Sequence, residues 1–319
     1  MRAIYFDGRE LSDAVVPRPR VRRGEALVKV RLAGICSTDL EIVRGYMALR
    51  GIPGHEFVGV VAEASTRRLI GKRVVGEINA PCGRCGVCGA GLGKHCPSRS
   101  VLGISGRGGA FAEFLTLPEE NLHVVPRRLS DEEAAFTELV AAACEIPERI
   151  EIGARDTVIV LGDGRLAAMA AQVASLRSRN VAVLGKNRSK LAALRKLGIK
   201  TYGPGGGMPL GRNADFVIEC TGSARGLPLA ATLVRPQGAI VLKSTFHGTL
   251  DWNPAPLVVD EIIVAGSRCG PFKTALRLLA QERVRVLPFL TAVYPFDRWR
   301  AAFRRARGRD SFKVLIRIS

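Results

Sequence analysis

From residue 155 onward the chain alternates short apolar runs with helix-length stretches: DTVIVLG, LAAMAAQVASLRS, NVAVLG, KLAALRKLG, ADFVIECTG, LPLAATLV, GAIVLKST and EIIVAGS. Strands that alternate with helices of about ten residues build a parallel sheet covered on both faces, the doubly wound α/β fold that binds dinucleotides. The first run leads into Gly162-Asp163-Gly164-Arg165-Leu166-Ala167, a G-x-G-x-x-A turn opening a helix. A hexapeptide of this kind is common by itself; its place between a strand and a helix is what makes it informative. Glycines there let backbone N–H groups reach a pyrophosphate at the helix N-terminus. Gly162, Gly164, Arg165 and Leu166 are therefore cofactor-binding candidates, and Asp163 is expected to cap the helix start.

The end of the second strand bears on which nicotinamide is used. An NAD site places an acid about twenty residues past the fingerprint to hold the ribose 2′-hydroxyl; here Gly185-Lys186-Asn187-Arg188 follows NVAVL. Glycine removes that acceptor and its repulsion of a 2′-phosphate, while Lys186 and Arg188 supply charge-assisted partners for one. NADP is expected in preference to NAD, against the alternative that these cations belong to an exposed basic helix start. Cys220, Thr221 and Ser244 end the fourth and fifth strands, and Ser267 and Arg268 follow the sixth. Carboxyl ends of parallel strands line the cofactor crevice, so these join the candidates.

The segment PCGRCGVCGAGLGKHC places Cys82, Cys85, Cys88 and Cys96 in the pattern C-x2-C-x2-C-x7-C, with glycines between them. Thiolates two residues apart can fold onto one cation, and four sulfurs close a tetrahedral zinc site with no open position, a structural arrangement. Disulfides are the competing reading, disfavoured at such spacing in an intracellular context, and an iron–sulfur cluster is the second. His95 reads as a loop residue. His123 and His247 lack ligand-like spacing and read as structural, and Cys144, Cys220 and Cys269 as inert core thiols.

Length and charge narrow the classes. A chain of 319 residues is about right for two domains. No run of about eighteen apolar residues spans a bilayer, and MRAIYFDGRE lacks the features of a secretory signal, so a cytoplasmic protein is expected. The net charge of +19 would attract phosphates. Its arginines are spread along the chain without stacking aromatics, so an arginine-rich surface is expected and no specific nucleic-acid partner.

Upstream lie GICSTDLE and PGHEFVG, which offer Cys36, His55 and Glu56 as zinc-ligand types at a strand end and a turn. At this point the chain resembles the zinc-dependent medium-chain alcohol dehydrogenases, over essentially its whole length: GICSTD matches the first zinc-ligand motif, GHEFVGVV the second, and CGRCGVC with Cys96 the structural-zinc lobe. The resemblance implies a mainly β, GroES-like catalytic domain over residues 1–138 with its zinc lobe at 80–98. A Rossmann domain would follow over 139–270, then a C-terminal return over 271–319.

It further implies that Cys36 and His55 hold a catalytic zinc with Glu56 as ligand or close alternate. Glu138 in FTELVAA matches the remaining protein ligand, although Leu139 stands where a proline often follows. Asp39 resembles the carboxylate that accepts from the His55 ring, and Thr38 the hydroxyl that carries the substrate proton. Glu41 stands where many relatives have the histidine at the outer end of that relay, and reads equally as relay base or surface glutamate. The function implied is hydride transfer between an alcohol or polyol and a nicotinamide cofactor, with zinc as Lewis acid, in a homodimer or homotetramer that binds no membrane. A silent NADPH-binding or redox-sensing relative and a basic, zinc-stapled nucleic-acid binder are the rivals.

Overall fold

The computed structural model describes residues 1–45, 49–203, 213–246 and 248–319. His247 lies outside them. The chain forms two compact units, Met1–Glu138 with Leu290–Ser319, and Leu139–Phe289.

The first unit is organised by one long strand, Glu25–Ile35, which alternates buried aliphatics with exposed Lys29 and Arg31 along its middle. It serves three antiparallel partners. Phe114–Pro118 pairs with its first half, Lys313–Arg317 with its second, and Glu56–Ala64 along most of its length. Register shifts at Leu27/Val28 and Val30/Leu32 mark irregularities in the pairing with Glu56–Ala64, while Phe114–Pro118 and Lys313–Arg317 pair with successive parts of the strand. At its carboxyl end Gly34 pairs with both Glu56 and Leu315. The chain then turns at Cys36 into the short helix Ser37–Ile42. Strand ends from opposite ends of the sequence thus converge beside Cys36.

The second unit holds a six-stranded parallel sheet. Its order is Lys200–Tyr202, Asn180–Leu184, Thr157–Leu161, Ala214–Glu219, Val234–Leu242, Ile263–Gly266, which is 3-2-1-4-5-6 in chain sequence. Val158, Ile159, Val160 and Leu161 are all buried, as a central strand covered on both faces requires. The helix Arg165–Ser175 buries a continuous run from Ala167 to Ala174. Residues 271–289 belong to this unit rather than to the C-terminal return, which starts at Leu290. The helix Phe272–Ala280 buries Phe272, Ala275, Leu276 and Leu279, one helical stripe. Gln172 then ties the following turn to the Arg165–Ser175 helix, donating to Arg285 O at 3.1 Å and accepting from Arg285 N at 2.8 Å. Among the described residues no helix is long and apolar enough to cross a membrane.

Candidate metal centres and cofactor site

The four-cysteine lobe is assembled by a single loop around the one-turn helix Gly86–Gly89. Cys85 Sγ lies 3.5 Å from Cys88 Sγ and 3.8 Å from Cys96 Sγ, and Cys82 and Cys88 sulfurs are 4.0 Å apart. A zinc–sulfur bond of about 2.3 Å gives a tetrahedral edge of about 3.8 Å. The sulfurs are thus already at zinc-like spacing, and all eight cysteines are free thiols. Proximity splits their acidities. Backbone N–H donors and the Cys96 thiol lower Cys82 to about 6, whereas burial and the neighbouring thiols raise Cys88 to about 11. A divalent cation fits this set because it replaces the protons that the sulfurs otherwise compete for.

Cys36, His55 and Glu56 form a second group whose ligand atoms lie within 4.8 Å of one another. His55 and Glu56 are buried and Cys36 is half-buried. Gly34 makes the room: a Cβ at that position would run into the Glu56 carboxylate. Fully buried Lys313, on the strand paired with Glu25–Ile35, donates to Glu56 Oε2, while Glu56 Oε1 is buried without a partner. Asp39 is fully buried and accepts from Cys36 N at 2.7 Å and Gly54 N at 3.2 Å, so it pins both ligand-bearing segments.

The expected Asp39–His55 hydrogen bond is not formed. His55 Nδ1 lies 3.4 Å from Asp39 Oδ1, outside hydrogen-bond geometry, and has no other partner. Burial opposes a charged His55 ring, but the Asp39 and Cys36 charges outweigh it and hold its pKa well above the usual 6.5. Unpartnered, buried Glu56 Oε1, beside an imidazole whose Nδ1 faces Asp39 and a thiol, fits a divalent cation of zinc's ligand taste.

Thr38 Oγ1 stands 3.8 Å from Cys36 Sγ. Glu41 is ion-paired to Arg44 at 2.7 Å. Glu138 is in the first turn of Thr137–Cys144 and is not in the three-residue group. His123 bonds Glu77 Oε1 at 2.8 Å, a structural contact. Lys313 is a site residue that sequence reasoning passes over. Its signal is a lone cation in the apolar strand FKVLI.

In the second unit Gly162 has φ +119°, and a Cβ there would meet Cys220 O at 2.8 Å. Gly164 faces open space and is the N-cap of Arg165–Ser175, with no side chain capping that helix. Uncapped N–H groups behind an open glycine fit a pyrophosphate. Asp163 does not cap this helix. It crosses to the end of the second strand, where Oδ2 accepts from Lys186 N and from Asn187 N at 2.7 Å. A Cβ on Gly185 would meet Asp163 Cβ at 2.6 Å, so Asp163 fills the space an acid at 185 would need. Hydrogen-bonding rather than propensity decides this: two loop N–H groups need an acceptor.

Asn187, expected on the cofactor, caps the helix Arg188–Arg195, accepting from Ser189 N and Lys190 N. Lys186 and Arg188 are exposed. Ser244 Oγ accepts from Gly222 N at 2.8 Å, which ties the fourth and fifth strand ends laterally, and Glu219 accepts from Thr221 N at 2.7 Å, a local turn contact. Ser267 is buried and Arg268 exposed. Burial pushes the Cys220 and Cys144 thiols up to about 12, which makes them inert at neutral pH.

Residues 22–127 match the alcohol dehydrogenase GroES-like domain and residues 166–281 match the zinc-binding dehydrogenase domain. The chain is 30% identical to L-threonine 3-dehydrogenase of Rhizobium rhizogenes, over 94% of this chain and 93% of that one. It is 27% identical to sorbitol dehydrogenase of Halalkalibacterium halodurans, over 94% and 93%. A solved zinc-binding dehydrogenase of Sinorhizobium meliloti 1021, bound to NADP, superposes with a TM-score of 0.89 at 27% identity, covering 99% of this chain and 98% of that one. The chain belongs to the zinc-dependent medium-chain dehydrogenase family. As a member it is an oxidoreductase of the alcohol dehydrogenase type that uses zinc and a nicotinamide dinucleotide.

Proposed function

We propose that this protein interconverts secondary alcohols or polyols with their carbonyls, with NADP preferred over NAD, and that Cys36, His55 and Glu56 hold its catalytic zinc while Cys82, Cys85, Cys88 and Cys96 hold a structural one. The observation that carries the reading is the buried Cys36–His55–Glu56 group, whose ligand atoms lie within 4.8 Å of one another and in which Glu56 Oε1 has no partner. Bound there, zinc supplies a Lewis acid that eases deprotonation of an alcohol near neutral pH. The alcohol gives a proton from oxygen to Thr38 and a hydride from carbon to the nicotinamide, leaving carbonyl, reduced cofactor and one proton. Because Glu41 is held by Arg44, the proton passes from Thr38 to water, and Glu41 serves as a surface ion pair. Lys313 keeps one Glu56 oxygen and leaves the other for the metal. Glu138 is the alternate ligand when Glu56 is withdrawn.

The NADP preference rests on Gly185, Lys186 and Arg188. Asp163 adds support, since its carboxylate is occupied by two backbone N–H groups and holds the loop that carries both cations. Likeness to a sorbitol dehydrogenase favours a polyol substrate. A homodimer is the proposed assembly, formed along the edge strand Ile263–Gly266 and the preceding helix Ala255–Val259, where Ile263 is 62% and Val258 and Val259 are 77% and 79% exposed.

Metal analysis with NADPH and NADH titration, followed by an alcohol and polyol panel, tests the reading. Two zinc ions per chain, tighter NADPH binding and turnover of a vicinal diol are expected. One zinc, retained when the four cysteines are the only ligands left, with dinucleotide binding but no turnover, would replace it with the silent relative.

A further inference from the structure

Lys243 has no part in the reading above, yet it occupies the carboxyl end of the fifth strand of the parallel sheet, directly after Leu242. Its Nζ donates to Ala142 O at 2.7 Å and to Ser267 Oγ at 3.0 Å, which draws together a helix and the ends of two strands. A methionine or isoleucine would fill an apolar strand end at lower desolvation cost than a half-buried ammonium. The sequence signal is a lysine breaking the run GAIVL before Ser244.

We propose that Lys243 sets the redox preference of the dinucleotide site, its positive charge favouring binding of the reduced, neutral nicotinamide over the oxidised, cationic ring. This rests on the reading that the second unit binds a nicotinamide dinucleotide. With strands in the order 3-2-1-4-5-6, the half carrying the glycine turn and the ribose 2′ position takes the adenosine, and the other half takes the nicotinamide. Lys243 stands on the latter, between Ser244 and Ser267.

Its charge is also directed to one side of the sheet. Glu219 and Leu242 are paired in register, so Cys220 and Lys243, one residue on, face the opposite side. Leu242 packs against the core cluster that holds Ala230 and Ala231 of the helix Gly226–Ala231, and Glu219 approaches Gly226 of that helix. The Glu219 carboxylate and the Lys243 ammonium therefore lie on different faces. Glu145 and Glu148, beyond the helix that supplies Ala142, contribute to the absolute field. They leave the direction unchanged, because removing a cation always relieves the oxidised ring. The two redox states of the cofactor differ by one unit charge on the ring, and at protein-like permittivity a cation several ångströms away discriminates between them by about tenfold or more.

The test is the pair of dissociation constants for NADPH and NADP+ in wild type, Lys243→Met, Lys243→Gln and Lys243→Arg, read by calorimetry. In wild type NADPH binds more tightly. Lys243→Met and Lys243→Gln are each expected to lower the ratio Kd(NADP+)/Kd(NADPH) about tenfold, with Lys243→Arg holding it within about twofold. A merely structural tie would lower the melting temperature and weaken both forms equally, and that result overturns the proposal. Binding of both forms by wild type with a ratio unmoved in the Met and Gln variants refutes the role of Lys243 alone. A wild type that binds neither form overturns the dinucleotide reading as well.

Discussion

Cys82, Cys85, Cys88 and Cys96 come from one short loop and meet through turns, whereas Cys36, His55 and Glu56 are brought together only by the pairing of Glu25–Ile35 with Glu56–Ala64. The loop site is uniform in chemistry, partly exposed and closed once four sulfurs are in place. The strand-built site mixes a thiol, an imidazole and a carboxylate in a buried setting, with Asp39 and Lys313 placed around them. A locally built metal site can be strong and still do nothing but hold a fold together. A site built from distant strands inherits the rigidity of the sheet, and its unfilled ligand capacity is what chemistry can use.

Cys36→Ser should show the largest contrast. Turnover is expected to fall by more than about a thousandfold while dinucleotide binding and the zinc of the four-cysteine lobe persist, as read by steady-state kinetics and metal content. Retention of two zinc ions with full activity would erase the distinction between the two sites.

Lys313→Met comes next. It strands the Glu56 carboxylate in the interior, and a loss of about 3 kcal/mol in unfolding free energy is expected by denaturant titration. Adding Glu56→Gln should return part of that loss. An equal loss in the double variant would mean that packing, rather than charge, is what Lys313 provides.

The pH dependence separates the sites by sign. In chelated protein the raised His55 pKa contributes stability that is fully present below its ordinary 6.5 and is lost as pH rises through the raised value. In the zinc-loaded protein the metal needs the neutral ring, so acidification should release zinc from this site. Unfolding curves with and without chelator, collected between about pH 5 and 9, should therefore slope in opposite directions.

The smallest effect concerns the loop site itself. In metal-free protein at pH 7, Cys82, lowered to about 6, should be alkylated first, and Cys88, raised to about 11, last. Peptide mapping after brief iodoacetamide treatment gives the order, and zinc should protect all four.

Much of this was legible in the residues. The strand and helix alternation after residue 155 announced the parallel sheet, and the C-x2-C-x2-C-x7-C spacing announced the lobe, because in both cases the physics is local in sequence. Asp163 shows where local reading fails. Beside Gly164 it reads as a helix cap, yet it accepts from Lys186 and Asn187, whose loop lies next to it only because the first and second strands are neighbours. Lys313 and Lys243 each stand out as a cation in an apolar run, but their roles were hidden for the same reason, since each takes its meaning from a partner far along the chain.

The sequence by itself determined the class of fold, the four-sulfur site and the types of ligand available for a second metal, since periodicity and spacing act over a few residues. Tertiary structure alone decided that Glu56 shares its carboxylate with Lys313, that His55 Nδ1 is left without a hydrogen bond, and that Lys243 ties Ala142 to Ser267 at the carboxyl end of the parallel sheet. Those outcomes depend on strand register, and register is set by the summed packing of whole sheet faces rather than by any one stretch of chain.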